Sequence, residues 1–424
     1  MAAGSGFFDE ITHVDMRSLS IQTGVRAALL AIAPLVIGLA VGQPQWVYAT
    51  LSAMILLNTE GPPTAALPLR VLLLACFTEP LAFAMGTLAG VTGLLAVALM
   101  GVGVFIARLS SGNPRLAQVG TFTAIFFAVG VGLPGGSVAA AEQRLWIAFV
   151  GAFWALLGAW IHRSLSSRQR LGRTFGPGSE PFGSQARRYF RVPSPHSDEF
   201  RLALAVGAAS AVGLAIGLAL GFPRDFWIIV TILIATRPKI GPTVSSSVMI
   251  VVGTIAGATI AAGVTVEIHN VYVLEVLLLA FGVWMFATRG VNLGLVQAGF
   301  TPFIIVILNI LYPGEWYLAE VRIVDVAIGG AIAIATVYLL WIRKLIHDFR
   351  EKGGGAHPGP AGSTPTNLPP GQKPGASHGH ARPQWKPTRG AAAHLAASRG
   401  SGGPARRRRR PSSSTSPTAL SPPA

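Results

Sequence analysis

Charged residues and cysteines are scarce in this sequence. Only 12% of its 424 residues are charged, against about one quarter in ordinary soluble domains. The single cysteine, Cys76, excludes a disulfide or a multi-cysteine metal site within the chain, and its apolar surroundings indicate a small buried residue. Apolar residues make up 51% of the chain, and they recur in runs of about 20 residues, the length of a membrane-crossing helix. The sequence therefore predicts a polytopic membrane protein.

Catalytic signatures are also missing. The chain has no HExxH, GxSxG or Walker motif in a plausible setting, and its histidines are scattered. We therefore expect neither an enzyme nor a bound cofactor or metal. The first 20 residues carry no basic region before a short apolar segment, so we expect no cleaved signal peptide.

The net charge of +16 is concentrated outside the apolar body. From Arg343 onward there are 14 Lys and Arg against 2 acids, and between His162 and Arg201 there are 8 against 3. Such basic segments can set membrane topology or meet anionic lipid head groups. The last segment, rich in Pro, Gly and Ser, has no hydrophobic periodicity, so it predicts disorder.

Hydrophobic runs predict an all-α, polytopic bundle of about twelve transmembrane helices. The candidate helices are residues 24–42, 46–58, 68–88, 90–108, 116–133, 144–161, 203–221, 226–236, 244–265, 271–288, 293–312 and 322–342. We predict five regions: a cytoplasmic tail (1–20), a six-helix repeat (21–163), an Arg-rich cytoplasmic linker (164–199), a second six-helix repeat (200–344) and a disordered basic tail (345–424). If every segment crosses, nearly all basic loop residues fall on the cytoplasmic side, with both termini.

An internal repeat supports this division. The segment IGLAVGQP at Ile37–Pro44 returns as IGLALGFP at Ile216–Pro223, an offset of 179 residues, and Asn113 and Gln118 match Asn292 and Gln297 at the same offset. The similar segments GTLAG and GTIAG, which begin at residues 86 and 253, lie out of this register and are interpreted as coincidence. An even number of helices per repeat makes the two copies parallel.

Two short apolar segments occupy corresponding places in the repeats, Pro44–Thr64 and Pro223–Thr243. Each contains Trp followed four residues later by Thr, namely Trp46 with Thr50 and Trp227 with Thr231. Each is too short to span about 30 Å at 1.5 Å per residue, so a broken or re-entrant helix is an alternative.

The motifs of the second half resemble the fusaric acid resistance family of inner-membrane proteins. The residues that carry the resemblance are Trp227, Thr231, Pro238, Gly241, Gly253, Thr254, Gly257, Arg322, Asp325 and Gly329. That family is similar to aromatic carboxylic acid exporters and, distantly, to plant aluminium-activated malate transporters. The resemblance implies a helical membrane protein that moves organic anions.

Charged residues at membrane depth are the candidate coupling groups, because a lone charge in hydrocarbon is costly. Glu79 is interpreted as a proton-carrying carboxylate, with a structural pair to Arg26 as the alternative. Arg322 and Asp325 share one helix face, which favours a local ion pair. In the alternative, Asp325 carries a proton and Arg322 lines an anion route with its repeat partner Arg144.

Further substrate-binding candidates each have a structural alternative. Trp46 and Trp227 are interface anchors or stack on an aromatic substrate. The remaining candidates are Thr50 and Thr231, which bond to a carbonyl or face a pore; Gln118 and Gln297, which join helices or line a pore; and Arg237 and Lys239, which follow the positive-inside rule or attract anions.

The leading hypothesis is a permease that exports small organic anions, of the aromatic carboxylic acid class that the resemblance implies, across the inner (plasma) membrane. It is proton-coupled if Glu79 titrates and passive otherwise. The alternative is a non-transporting scaffold or envelope protein with a lipid- or partner-binding basic tail. The sequence is compatible with a homo-oligomer, and Arg406–Arg410 predict only non-specific attraction to nucleic acid.

Overall fold

The computed structural model describes residues 11–61, 67–109, 114–166, 193–268, 270–311 and 317–354. Within these residues the chain forms helices and turns but no strand. All of the helices lie in one unit, Met1–Ala356. They are α1 (Ile21–Ala40), α2 (Val47–Glu60), α3 (Leu69–Gly90), α4 (Leu95–Arg108), α5 (Pro114–Gly132), α6 (Val138–Ser166), α7 (Asp198–Leu220), α8 (Phe226–Ala235), α9 (Ile240–Glu267), α10 (Val271–Ala287), α11 (Leu293–Leu311) and α12 (Leu318–Gly354). The predicted all-α fold is confirmed.

Seven of these helices are long and apolar enough to cross a membrane: α1, α3, α6, α7, α9, α11 and α12. Helices α4, α5, α8 and α10 are shorter but also apolar. Large apolar side chains such as Phe77 and Leu81 on α3 and Trp160 on α6 are exposed on the outside of the bundle. Such a surface suits lipid rather than water. The chain is therefore a polytopic helical membrane protein, as predicted.

Capping residues explain several helix ends. The Ser197 hydroxyl accepts a hydrogen bond from the Phe200 amide and starts α7, which ends at Gly221 in the left-handed conformation (φ 65°). Helix α12 continues to Gly354, beyond residue 345 where the disordered tail was predicted to begin. The helix runs on because the chain offers no Gly or Pro between Trp341 and Gly353.

The two short helices lie inside the bundle. Helix α2 has 14 residues and α8 has 10, so they are about 21 Å and 15 Å long at 1.5 Å per residue. Nine of the ten residues of α8 are buried. Beyond α8 the backbone becomes extended at Thr236, and Pro238 follows in the connection to α9. The predicted short segments are thus central helices packed on all sides by protein.

Helix packing in the first half recurs in the second. The pairs α1–α2, α2–α6, α3–α5, α3–α6 and α4–α5 correspond to α7–α8, α8–α12, α9–α11, α9–α12 and α10–α11. The halves meet where α4 packs on α7 and where α1 packs on α10. This recurrence supports the repeat inferred from the sequence.

Two close helix contacts follow the same register. A methyl group at Gly151 on α6 would overlap the carbonyl of Ala49 on α2, and one at Gly329 on α12 would lie 2.6 Å from the Ile228 carbonyl oxygen on α8. Glycine therefore lets α6 and α12 approach the backbone of the short helices. By contrast, Gly86 contacts Phe127 whereas Gly253 contacts Gly294, so these two glycines lie at different depths and the GTLAG and GTIAG segments are not equivalent.

Candidate functional site: a cavity between the two halves

An apolar cavity of about 50 Å³ lies among α2 and α5 of the first half and α8 and α11 of the second. A volume of about 10–15 Å³ of this kind holds one water molecule, so the cavity has room for only a few. Its lining residues are Val47, Tyr48, Leu51, Met54, Ile55, Ile125, Phe126, Val129, Leu133, Phe226, Trp227, Val230, Phe300, Ile304, Ile307 and Leu308. The walls are apolar and partly aromatic, as small-molecule sites commonly are.

The lining is pseudo-symmetric. Five pairs of lining residues are separated by 179 positions, the offset of the repeat: Val47 and Phe226, Tyr48 and Trp227, Leu51 and Val230, Ile125 and Ile304, and Val129 and Leu308. Each half thus contributes the same helix faces to one shared space. The cavity is centred between the two halves of the helical bundle.

In the first half a buried arginine lies behind the cavity wall. Arg144 on α6 donates to the Thr87 hydroxyl (3.1 Å) and to the Pro134 carbonyl oxygen (2.6 Å). Its guanidinium carbon lies 5.3 Å from the centre of the Tyr48 ring and 5.9 Å from that of Phe83. The protein therefore supplies this cation with hydrogen-bond acceptors and ring faces.

The second half places Arg322 on α12 in the corresponding position with different partners. Its guanidinium carbon lies 3.7 Å from the centre of the Trp227 ring and 5.7 Å from that of Phe300, and both rings line the cavity. The Nε and Nη1 atoms of Arg322 are buried without hydrogen-bond partners. Both carboxylate oxygens of Asp325, a fully buried residue, also have none. The local Arg322–Asp325 ion pair suggested by the sequence is therefore not formed.

A second acid lies at the start of α8. Asp225 is buried, and its side chain packs where Gly217 on α7 leaves room for it. Burial raises the pKa of Asp225 to about 6, against a smaller lowering effect of its hydrogen bond with the Phe226 backbone. Arg322, Asp325 and Asp225 thus form a buried charged group beside the cavity, which the first half lacks, since the residue 179 positions before Asp225 is Trp46.

At the opposite end of α2, Glu60 is held by arginines. Its Oε2 accepts from Arg26 on α1 (2.8 Å) and its Oε1 accepts from Arg163 on α6 (3.0 Å). Arg289, in the connection from α10 to α11, donates to the carbonyl oxygen of Leu57. The proposed pairing of Arg26 with Glu79 is therefore wrong, because Arg26 bonds to Glu60 on the neighbouring helix.

Glu79 instead contacts a hydroxyl. It is fully buried on α3, and its Oε1 lies 2.7 Å from the Oγ1 of Thr59 on α2. The same hydroxyl lies 3.0 Å from the Ile55 carbonyl oxygen, the usual acceptor for a helical threonine. The Oε2 atom of Glu79 has no partner. No basic side chain forms an ion pair with Glu79 among the residues that the structure describes.

The structure corrects the pairing of the tryptophans. Trp46 is half-buried in a short 3-10 turn against Gly38 and does not line the cavity, whereas Trp227 is buried in the cavity wall. The position equivalent to Trp227 is Tyr48, which lies under Arg144 as Trp227 lies under Arg322. An interface anchor is therefore the wrong interpretation for Trp227.

The other predicted residues are dispersed. Thr231 donates to the Trp227 carbonyl oxygen (2.9 Å), and Gln118 donates to that of Asn58 (3.1 Å), in agreement with their structural alternatives. Thr50 is buried, and its hydroxyl has no partner. The last three candidates lie away from the cavity wall: Gln297 packs against Gly253, and Arg237 and Lys239 are exposed between α8 and α9.

Sequence reasoning missed the aromatic wall and the Glu60 network. Tyr48 could have been found by applying the 179-residue offset to Trp227 instead of matching identical residues. The contact of Arg289 with α2 carries no sequence signal, because it depends on how the halves pack. Among the described residues no group of three or more His, Cys, Asp or Glu side chains could hold a metal ion.

The fold and this site define a helical membrane protein with an apolar cavity between two sets of six helices. Residues 210–336, from within α7 to within α12, match the family model described as fusaric acid resistance protein-like. The resemblance inferred from the sequence is confirmed for this region.

Two curated relatives from Escherichia coli (strain K12) are similar to parts of the chain. "Inner membrane protein YccS" is 30% identical over 154 residues, which cover 36% of this chain and 21% of the relative. "Uncharacterized protein YhfK" is 32% identical over 176 residues, which cover 39% of this chain and 24% of the relative. The chain thus spans a quarter or less of the length of these relatives. No solved structure matches the chain.

Proposed function

We propose that this protein is a permease that exports small organic anions, with aromatic carboxylates as the preferred class, through the interface between its two halves. The observation that carries the proposal is the pseudo-symmetric cavity with its aromatic walls and a buried arginine behind each side. Apolar walls with a few polar groups suit a ligand that has a ring and one charge.

The arginines supply the preference for anions. Arg144 and Arg322 are each only 3% exposed, so their charges are screened little by water. A carboxylate that enters the cavity gains attraction from both guanidinium groups, while its ring contacts Tyr48, Trp227 and Phe300. The cavity is smaller than such a ligand, so transport requires α2 and α8 to separate from α5 and α11.

Proton coupling through Glu79 is the finer part of the proposal. The Thr59 hydroxyl has one hydrogen but lies within bonding distance of two oxygens, on Ile55 and Glu79. If Glu79 carries a proton, it donates to Thr59 while Thr59 donates to Ile55, and both contacts are satisfied. Glu79 is therefore the favoured proton carrier, and Asp325 is a second candidate because its buried oxygens lack partners.

Flux measurements in liposomes test the transport proposal. The full chain is reconstituted into liposomes that contain a labelled aromatic carboxylate. Release of the label is compared with release from protein-free liposomes loaded in the same way. Val230→Phe, in the cavity wall, should reduce release strongly, whereas Val252→Phe, on an exposed face of α9, should not. Thermal unfolding of both variants checks that they fold. Release equal to that from protein-free liposomes across a panel of organic acids would refute the proposal.

The coupling proposal needs its own variant. Glu79→Gln keeps the size of the side chain and a hydrogen bond to Thr59 but cannot release a proton. It should retain exchange of labelled for unlabelled acid and lose the acceleration produced by an imposed pH gradient. Acceleration that persists in Glu79→Gln but disappears in Asp325→Asn would assign coupling to Asp325.

We further propose the inner (plasma) membrane as the location. The name of the relative "Inner membrane protein YccS" supports this, as does the apolar exterior of the bundle. Fractionation of a tagged full-length chain tests the location.

A further inference from the structure

Three arginines converge on one carboxylate at the C-terminal end of α2. Arg26 and Arg163 bond to the two oxygens of Glu60, and Arg289 is near enough for its charge to interact with both Glu60 and Arg26. Arg163 also donates to the Leu67 carbonyl oxygen (2.7 Å). The three cations come from α1, α6 and the connection between α10 and α11, so both halves contribute. We call these four residues the Glu60 cluster.

The charges of the Glu60 cluster do not balance. Three guanidinium groups surround one carboxylate, and Glu60 is only 4% exposed. The described residues provide no second carboxylate within 4 Å of these arginines. The carbonyl oxygens at the end of α2 carry only partial negative charge. Within the described part of the chain, two positive charges are therefore left without a full counter-charge.

The hydrogen bonds do not balance either. Four buried nitrogen atoms of the cluster have no acceptor among the residues that the structure describes: Nε and Nη1 of Arg26, and Nε and Nη2 of Arg289. Buried donors of this kind are almost always paired, and unpaired charged donors are the most costly. Burial lowers the pKa of Arg289 to about 10, with a further lowering effect of Arg26 and an opposing effect of Glu60. The cluster thus has excess positive charge and hydrogen-bond donors without acceptors.

We infer that the Glu60 cluster binds an oxyanion of the phosphate class, with Arg26 and Arg289 as its principal donors. A doubly charged oxyanion matches the two uncompensated charges, and its several oxygens match the four free donors. Free phosphate and the phosphate of a lipid head group share this chemistry. The site lies at the opposite end of α2 from Tyr48 and does not depend on transport.

Thermal unfolding of the purified full chain tests this inference. The midpoint is measured while inorganic phosphate replaces chloride at constant ionic strength, and an apparent Kd follows from the shift. Arg289→Gln and Arg26→Gln should each raise this Kd by about ten-fold or more, because each loses charged hydrogen bonds. Glu60→Gln should lower it by about ten-fold, because the competing carboxylate is removed.

Arg70→Gln is the matched control. Arg70 is an exposed arginine at the start of α3, outside the cluster, so its variant should respond to phosphate as the wild type does. A second titration with short-chain phosphatidic acid distinguishes a lipid head group from free phosphate as the source. The inference fails if wild type, Arg289→Gln, Arg26→Gln and Glu60→Gln all respond equally to both compounds. If Arg289→Gln does not fold, Arg26→Gln and Glu60→Gln still make opposite predictions.

Discussion

Each half places a buried arginine behind its own side of the cavity, but the two arginines have different partners. Arg144 is hydrogen-bonded to Thr87 and Pro134, and it forms no ion pair with any acid among the described residues. Arg322 has two buried nitrogen atoms without partners, stacks on Trp227 and faces the unbonded carboxylate of Asp325. The two halves therefore share the position of the cation and differ in its surroundings.

This difference indicates that the buried arginine has a different role in each half. The first-half arginine is satisfied by its own protein, so it stabilises the packing of α6 against α3 and α5. The second-half arginine stacks on aromatic faces and interacts with the charge of Asp325 without a hydrogen bond to it. Buried polar groups without hydrogen-bond partners are costly, so we expect this group of side chains to rearrange when a ligand or a proton binds. The second half is therefore the one in which we expect a single charge change to have the largest effect.

The largest expected effect is on the stability of the second half. Arg322→Gln should lower the free energy of unfolding by about 4 kcal/mol, because it leaves Asp325 buried without a counter-charge. Arg144→Gln should cost only about 2 kcal/mol, since the acceptors that lose its hydrogen bonds, Thr87 and Pro134, are neutral. Chemical denaturation in detergent measures both.

A double variant tests whether the buried charge of Asp325 causes the loss of stability. Asp325→Asn added to Arg322→Gln should restore at least half of the loss, because the stranded charge is gone. If the double variant is as unstable as the sum of its two single variants, Arg322 and Asp325 do not act as a charge pair.

Asp225 gives the second half a pH dependence that Trp46 cannot give the first. Burial raises the pKa of Asp225 from 3.8 to about 6, so the folded state holds the proton more tightly than the unfolded chain. Stability should therefore fall as pH rises from about 4 to 6, by on the order of 3 kcal/mol. Asp225→Asn should remove this slope and be the more stable protein at pH 7.

The charged groups around Asp225 also affect how stability depends on pH. Arg224 is adjacent in sequence, and Asp325 on α12, which itself interacts with Arg322, is near enough for its charge to interact with Asp225. The profile of wild type is therefore compared with that of Asp225→Asn and of Glu142→Gln, an exposed acid on α6. A slope that Asp225→Asn leaves unchanged would assign the pH dependence to Asp325 or another acid.

The glycines that let α6 and α12 approach the short helices should show a smaller difference in stability between the two halves. A methyl group at Gly151 overlaps several backbone atoms of Ala49, whereas at Gly329 the nearest atoms are one carbonyl oxygen at 2.6 Å and the side chain of Thr231. Gly151→Ala should therefore cost about 2–3 kcal/mol and Gly329→Ala about 1 kcal/mol. Equal unfolding midpoints would mean that both contacts relax equally.

The sequence was sufficient for the helices and insufficient for the side-chain partners. Long apolar runs predict helices wherever they occur, so even the short α2 and α8 were found. The partners of Glu60, Glu79 and Arg289 depend on which helices are neighbours in space. That information is not in hydrophobic periodicity, which is why Arg26 was assigned to the wrong carboxylate.

The tryptophan error has another physical origin. Matching Trp46 to Trp227 relied on identical residues, whereas helix packing conserves the direction in which a residue points. Tyr48 points under Arg144 because it lies two residues farther along the chain than Trp46, which is in a 3-10 turn. Register is therefore a better guide than residue identity when two repeats are compared.

The smallest expected effect tests this equivalence directly. Trp binds a cation over its ring more strongly than Tyr, by roughly 1 kcal/mol when both groups are buried. Trp227→Tyr should therefore lower stability by about that amount because Arg322 relies on the ring, whereas Trp46→Tyr should change it by less than about 0.5 kcal/mol. Tyr48→Trp should also have little effect, since Arg144 is held mainly by Thr87 and Pro134. If Trp46→Tyr proved as costly as Trp227→Tyr, the match by residue identity would be right and the 179-residue register would be wrong at this point of the repeat.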